Sequence, residues 1–200
     1  MTREELILGI QARMGDLNDG EQVEVATNPF VDNLMEDAVE GYLMLLPTYL
    51  LPITSFTSNN TITITGSEVT AKRIALPEGF IKLMDFQTDT WYKPATVTLE
   101  GTPTYLRQLH KYSFGGNSRP VVTIVNDNTL GKAIEYYYVT TTAPTVTVAN
   151  CVIKEAPEDL PEDILDGYMW YVASVCFEAL ELPNNSKSAL ERVKMAIRYV

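Results

Sequence analysis

Residues 53–75 read ITSFTSNNTITITGSEVTAKRIA, and within this stretch the hydrophobic period of the chain changes from 3.6 to 2. Thr61-Ile62-Thr63-Ile64-Thr65 alternates without a break, and Gly66-Ser67 reads as a tight turn into a second strand, Val69–Ala75. A β-hairpin is therefore expected where the preceding sequence is helical.

Working towards the C-terminus, Leu76-Pro77-Glu78-Gly79 reads as a turn into a strand over Phe80–Gln87, and Thr96–Leu99 as a short strand. Val121–Val125 and Ala133–Val139 read as a hairpin around Asn126-Asp127-Asn128-Thr129, a four-residue loop built on a type I turn. Thr145–Ala149 supplies a last strand. Thr102–Lys111 fits a helical turn or an extended segment equally well, and Gly115-Gly116 marks a turn within Phe114–Ser118. Six or seven short strands at this spacing predict a mostly antiparallel small sandwich or barrel.

Working towards the N-terminus, Asn28-Pro29 starts a helix, with Asn28 as N-cap and Pro29 at the first helical position. Val31, Leu34, Met35, Ala38, Tyr42, Leu45 and Leu46 form its apolar stripe, and Asp32, Glu36, Asp37 and Glu40 the opposite face. Pro47 ends it, and Tyr49-Leu50-Leu51 is a short apolar piece. Before it, Thr2 and Glu5 form a capping box for a helix from residue 3 to Met14, carrying Leu6, Ile7 and Ile10, with Gly15 as a left-handed stop. Residues 16–27 read as a polar connection.

Beyond the strands, Glu155–Asp163 crowds carboxylates at the start of a helix, with Pro161 in its first turn at the positive end of the helix dipole. Ile164, Leu165, Tyr168, Val172, Val175, Ala179 and Leu180 make a broad apolar face. Leu182-Pro183-Asn184-Asn185 reads as the stop, and Ser188 with Glu191 as the capping box of a last helix with Leu190, Val193 and Ile197 inward. The expected architecture is α+β: a helical bundle body from residues 1–53 and 150–200, two helices from each end, with a β insertion over 54–149.

Composition follows the same division. Residues 54–149 hold 19 of the 22 threonines and carry a net charge of +1, whereas the flanks carry −8 and −4 of the chain's −11. That charge excludes wrapping of nucleic acid by phosphate neutralisation, which needs clustered Lys and Arg. An acidic surface suits ordinary solubility, the commoner case, and equally a surface past which DNA slides without sticking, and composition alone does not separate the two. Within the C-terminal flank the charge is split: residues 155–181 contain eight acids and no Lys or Arg, and 187–198 contain four basic residues and one acid. Within one chain this gives antiparallel helices of opposite sign, the simpler explanation; between chains it would suit a head-to-tail ring, which does not follow from charge alone.

No apolar run follows Met1-Thr2-Arg3-Glu4-Glu5, and the greasy stretches 42–53 and 168–180 are shorter than the ~20 residues of a membrane span. A soluble protein made in a cytoplasm is expected, with Cys151 and Cys176 as free thiols. Catalytic equipment is sparse. His110 is the only histidine, no C-x-x-C pair, G-x-S-x-G elbow or Walker loop occurs, and the acidic run lacks the oxygen spacing of a calcium loop. No catalytic residue, metal site or cofactor is assigned; a hydrolase using His110 or a carboxylate pair is the weaker class.

Tyr136-Tyr137-Tyr138 lies in a strand, so its rings alternate between the two sheet faces. They read either as a buried cross-strand cluster or as an interface. These three, with Arg192, Lys194 and Arg198, are the candidate binding residues. A module recognising a glycan or protein through exposed tyrosines is the second reading of the chain.

Residues 28–52, NPFVDNLMEDAVEGYLMLLPTYLLP, resemble the opening helix-Pro-helix of head–tail connector proteins of short-tailed bacteriophages, especially the ring-type adaptors of crAss-like phages of Bacteroidales. Ile74–Leu83 (IALPEGFIKL) is similar to the Leu-Pro-x-x-Phe-x-x-Leu element that opens their β region, and Ala156–Pro161 (APEDLP) before a long apolar helix repeats their order of parts. The resemblance implies a homo-oligomeric ring, commonly twelvefold, seated on the portal protein. Such a ring passes DNA through its lumen and presents a platform to further tail or ring proteins. It implies no catalytic residues and no cofactor.

Overall fold

The computed structural model describes residues 1–17, 28–113, 115–140 and 142–198, so the polar connection expected over 16–27 lies almost entirely outside the described residues. The chain divides into two compact units, Met1–Pro52 with Lys154–Val200, and Ile53–Ile153. It is α+β, with five α-helices and two mostly antiparallel sheets among the described residues.

The helical unit contains α1 (Arg3–Asp16), α2 (Asn28–Leu45), α4 (Glu162–Ala179) and α5 (Pro183–Arg198). The Thr2–Glu5 capping box forms: Thr2 Oγ1 accepts from the Glu5 N–H at 3.2 Å, and the Thr2 N–H donates to Glu5 Oε2 at 2.8 Å. Gly15 does not stop α1, which continues to Asp16; Gly15 keeps helical backbone and meets open space. α2 ends before Pro47 as expected. Its stripe is shifted, because Val39 and Leu43 are buried while Leu45 is exposed. Tyr49 and Leu50 lie in a 3-10 turn, Thr48–Leu50.

The largest departure lies between α4 and α5. α4 closes in a Schellman motif: the Leu182 N–H bonds Phe177 O at 2.8 Å and the Glu181 N–H bonds Glu178 O at 3.0 Å, with Glu181 at φ 60°. Pro183 is then the first residue of α5 rather than part of a loop. The Ser188/Glu191 pair therefore sits inside a helix and caps nothing. Pro161 occupies the N-cap position of α4, one residue ahead of the expected place, with Glu162 and Asp163 in the first turn.

α4 packs against α1, α2 and α5, and three glycines let it approach closely. A Cβ on Gly9 would lie 2.7 Å from Met169 Sδ, one on Gly41 2.5 Å from the Tyr171 hydroxyl, and one on Gly167 would collide with the Tyr42 hydroxyl. Into that space α2 and α4 exchange hydrogen bonds. Tyr42 donates to Ile164 O and Tyr168 donates to Met35 O, both at 2.7 Å, with the fully buried rings 5.6 Å apart. Two phenols are thereby buried with their hydroxyls satisfied.

In the β unit, a three-stranded sheet has the order β1 (Thr54–Ser55), β8 (Val146–Ile153), β4 (Phe80–Thr88). A five-stranded sheet has the order β2 (Thr61–Thr65), β3 (Thr70–Ala75), β7 (Gly131–Tyr138), β6 (Val121–Asp127), β5 (Thr96–Thr98). All pairings are antiparallel except β5 with β6, and neither sheet closes into a barrel. Phe80, Leu83, Phe86, Ala149 and Cys151 of the smaller sheet share one apolar cluster with Ile74, Val122, Ile134, Tyr136 and Tyr138 of the larger.

Two turns are built differently from their sequence reading. Thr65 pairs with Thr70, so the β2–β3 link spans residues 66–69 rather than Gly66-Ser67 alone. β6 continues to Asp127, whose Oδ1 accepts from the N–H groups of Thr129 and Leu130, and Gly131 takes φ 70°. Thr102–Lys111 resolves as a helix, α3 (Pro103–Gln108), capped by the Thr102 side chain.

Candidate functional site

The tyrosine triplet is internal. Tyr136 and Tyr138 pack on one face of β7 in the shared apolar cluster, where Tyr136 lies 5.7 Å from both Phe86 and Trp91. Tyr137 lies on the other face, buried against Val69, Ala71 and Tyr105. All three are buried, so of the two readings of this triplet the packed core is the one realised, and these rings offer no surface to a partner. Alternation along the strand placed the rings on opposite faces correctly; that both faces are covered is not legible from a single strand.

The basic candidates have the opposite fate. Arg192, Lys194 and Arg198 are exposed on α5, as is Lys187, while Ala189 and Val193 turn inward. Among the described residues none of these four cations forms an ion pair; Arg192 lies over the Trp170 ring at 5.9 Å, with Arg13 also over Trp170 at 5.6 Å. The expected charge pairing between the last two helices is thus not made. Asp166 of α4 bonds Arg13 of α1 instead.

Two sets of acids in the helical unit contrast in their partners. Arg3 collects one group: its Nε lies 2.6 Å from Asp32, and its Nη1 lies 2.8 Å from Glu36 and 3.5 Å from Glu158. The hydrogen bonds to Glu36 and then Asp32 raise its already high pKa further. This clamp joins α1, α2 and the 3-10 turn Pro157–Asp159, so half of the expected acidic face of α2 serves the unit itself. Asp37, Glu40, Glu162 and Asp163 are exposed and, among the described residues, without an ion-pair partner. Met44, Leu45 and Tyr49 add an exposed apolar group near the end of α2.

Side chains able to do covalent chemistry are poorly placed for it. Cys151 and Cys176 are free and buried, in different units, and burial pushes both thiols up, Cys176 to about 12. A reactive cysteine needs the opposite shift. His110 is exposed after α3, with Nδ1 3.5 Å from the Glu68 carboxylate. A groove of about 430 Å³ beside β1 and β8, lined by Ser55, Ser58, Thr147 and Asn150 among others, contains no titratable side chain. No group of three or more His, Cys, Asp or Glu that would hold a metal occurs among the described residues, and none of their helices is long and apolar enough to cross a membrane.

Sequence reading overlooked a polar cluster on the face of the larger sheet opposite the shared apolar cluster. Arg73 and Glu135 face each other across β3 and β7, with Arg73 Nε 2.6 Å from Glu135 Oε2 and Nη1 2.8 Å from Asp127. Glu135 is 1% exposed and its Oε1 accepts from the Tyr137 hydroxyl at 2.6 Å. Burial opposes the Arg73 charge, but Asp127 and Glu135 outweigh it and raise the pKa. Arg73, followed by the N–H groups of Leu130 and Thr129, holds the Asp127 carboxyl below its usual range. No family model matches the chain, and no curated protein matches it either.

Proposed function

We propose that this chain is a non-enzymatic structural protein of a bacteriophage virion: a ring-forming head–tail adaptor that docks on the portal, continues the DNA channel and supports tail assembly. In this reading the protein is made in the host bacterial cytoplasm and ends at the head–tail interface. The helices form a bundle body that builds the homo-oligomeric ring, twelvefold as is common in the family it resembles. The two sheets form a sandwich that serves as the platform for portal or further tail and ring proteins. DNA passes the lumen without specific binding, and no membrane is involved.

The observation that carries this reading is the unpaired cationic surface of α5. The chain has 26 acidic residues against 15 Lys and Arg, yet four of those cations stand exposed on one helix with no ion pair among the described residues. Acids at Asp37, Glu40, Glu162 and Asp163, equally unpaired, supply the complementary sign on different elements of the same unit. Surfaces on different elements that match in charge favour heterologous, head-to-tail association, which forms a ring where the rotation between neighbours closes and a filament where it does not. Each exposed pair contributes only ~0–1 kcal/mol, so the assembly depends on many contacts and on apolar groups such as Met44, Leu45 and Tyr49. The acidic remainder suits a lumen that does not hold DNA.

The rival reading, a binding module for a glycan or protein, loses the Tyr136–Tyr138 triplet, whose rings are buried, and rests instead on Tyr92 and Tyr112, which the β unit leaves exposed. Negative-stain images of the purified protein, alone and mixed with its portal, test the proposal. Rings of uniform diameter are expected; strict monomers in both samples would count decisively against it.

A further inference from the structure

Between α3 and the β2–β3 hairpin a groove of about 260 Å³ opens over the sheet face that carries Arg73, Glu135 and Tyr137. Its walls are apolar at Ile64, Val69 and Leu109, and Tyr105 closes one side. The hairpin tip is tied across to the segment after α3, since Glu68 Oε2 accepts from the Lys111 N–H at 3.1 Å and lies 3.5 Å from His110. The groove is therefore framed by three elements far apart in sequence.

Acceptors predominate among its side chains, with Arg73 the cationic donor in the lining. A hydroxyl has one proton, and that of Tyr137 goes to Glu135 at 2.6 Å, so in the Tyr105–Tyr137 pair at 3.3 Å Tyr105 is the donor. The Tyr105 oxygen retains lone pairs, as does each oxygen of Glu135 after accepting from Tyr137 and Arg73. The charges point the same way. Glu68 and Glu135 face the groove against Arg73, whose guanidinium is already shared with Asp127 behind it. The two carboxylates outnumber the one guanidinium of the lining, which leaves net negative charge at floor and rim, with apolar walls between.

We infer that this groove between α3 and the β2–β3 hairpin binds a cationic alkyl chain, a guanidinium or primary ammonium on a short aliphatic stem. The head group bonds the Tyr105 oxygen and is attracted by the charge of Glu135 beneath the floor and of Glu68 at the rim; the stem lies along Ile64, Val69 and Leu109. The volume is below the ~300–1,000 Å³ of sites for drug-sized ligands, which matches one arginine or lysine side chain rather than a larger molecule. The inference stands independently of ring formation, since a monomer retains the groove.

Two probes distinguish the sources of such a group: agmatine, a free guanidinium, and Nα-acetyl-arginine-methylamide, which carries the flanking peptide bonds of a partner chain. Binding is read by calorimetry and by NMR shifts of the Tyr105 and Tyr137 rings. Saturable binding of either supports the inference, with tighter binding of agmatine indicating a free metabolite and tighter binding of the amide a polypeptide. Glu68→Gln is expected to weaken binding roughly threefold, as for an exposed charge pair. Tyr105→Phe is expected to weaken it roughly tenfold, as for a hydrogen bond to a charged group. Glu135→Gln is expected to abolish it; because that variant also disturbs the Arg73 pair, the milder two carry the test if it fails to fold. No saturable binding of either probe at millimolar concentration, or binding indifferent to both mild variants, overturns the inference, as does preferential uptake of sulfate.

Discussion

The two units differ in the polar groups they bury. In the helical unit the buried hydrogen bonds are neutral: Tyr42 and Tyr168 each reach a carbonyl of the facing helix, in space that Gly167 leaves free. The β unit has a bond of the same kind, from Tyr136 to Pro144 O, but it adds an ionic cluster, with Glu135 and Asp127 sharing Arg73 and Tyr137 donating to Glu135. A phenol brings one donor and a large apolar ring, so removing it mainly loses packing. A guanidinium shared by two carboxylates cannot be removed without stranding charge. The helical unit should therefore be sensitive to volume and the β unit to charge.

The largest effect expected from this contrast is at Tyr168. Tyr168→Ala is expected to lower unfolding free energy by about 4 kcal/mol, in the range for loss of a buried aromatic, measured by denaturant titration. Tyr168→Phe, which keeps the ring, should cost only about 1 kcal/mol. In the β unit the order reverses: Arg73→Met, similar in volume, should cost about 3 kcal/mol because Glu135 is left buried without its cation. If Arg73→Met proves neutral, the proposed difference between the units fails.

Smaller effects sharpen the same comparison. Gly167→Ala should destabilise by about 2 kcal/mol, since its methyl meets the Tyr42 hydroxyl and α2 and α4 must separate. Gly15→Ala, also helical but facing open space, should instead stabilise by about 0.8 kcal/mol through helix propensity. Two glycine substitutions of opposite sign, read in thermal melts, separate close approach from propensity. The smallest effect concerns acid. Arg73 holds the Asp127 carboxyl below the ordinary aspartate range, so its contribution is present above that range and lost as pH falls through the lowered value. Asp127→Asn should flatten that part of the acid-unfolding curve followed by circular dichroism.

The same physics decides what was legible in the sequence. Helix periodicity, the Thr2–Glu5 box, the stop before Pro47 and alternation through Thr61–Thr65 are local signals, and each forms where it reads. Ser188 and Glu191 carry an equally clear local signal but cap nothing, because Glu181 adopts the left-handed turn usually left to glycine and Pro183 starts α5 early. The polar cluster of Arg73, Glu135 and Asp127 was not legible at all. Those residues are more than fifty positions apart from Arg73, and only the register of β3 on β7 brings them together. The exposed cations of α5 were legible as residues, but which acids pair with which cations depends on packing, as the Asp166–Arg13 pair between α4 and α1 shows.

That unpaired surface bears the central claim. Particle mass in solution, measured by mass photometry at about 50 and 500 mM salt with and without portal, tests it most directly. The account expects one discrete multimer whose population falls as salt rises, because exposed charge pairs are screened over about 10 Å or less. It also expects the combined Lys187→Glu, Lys194→Glu and Arg198→Glu variant to remain folded and monomeric. A wild-type protein that is monomeric under every condition, or a multimer untouched by reversing those three charges, would contradict it.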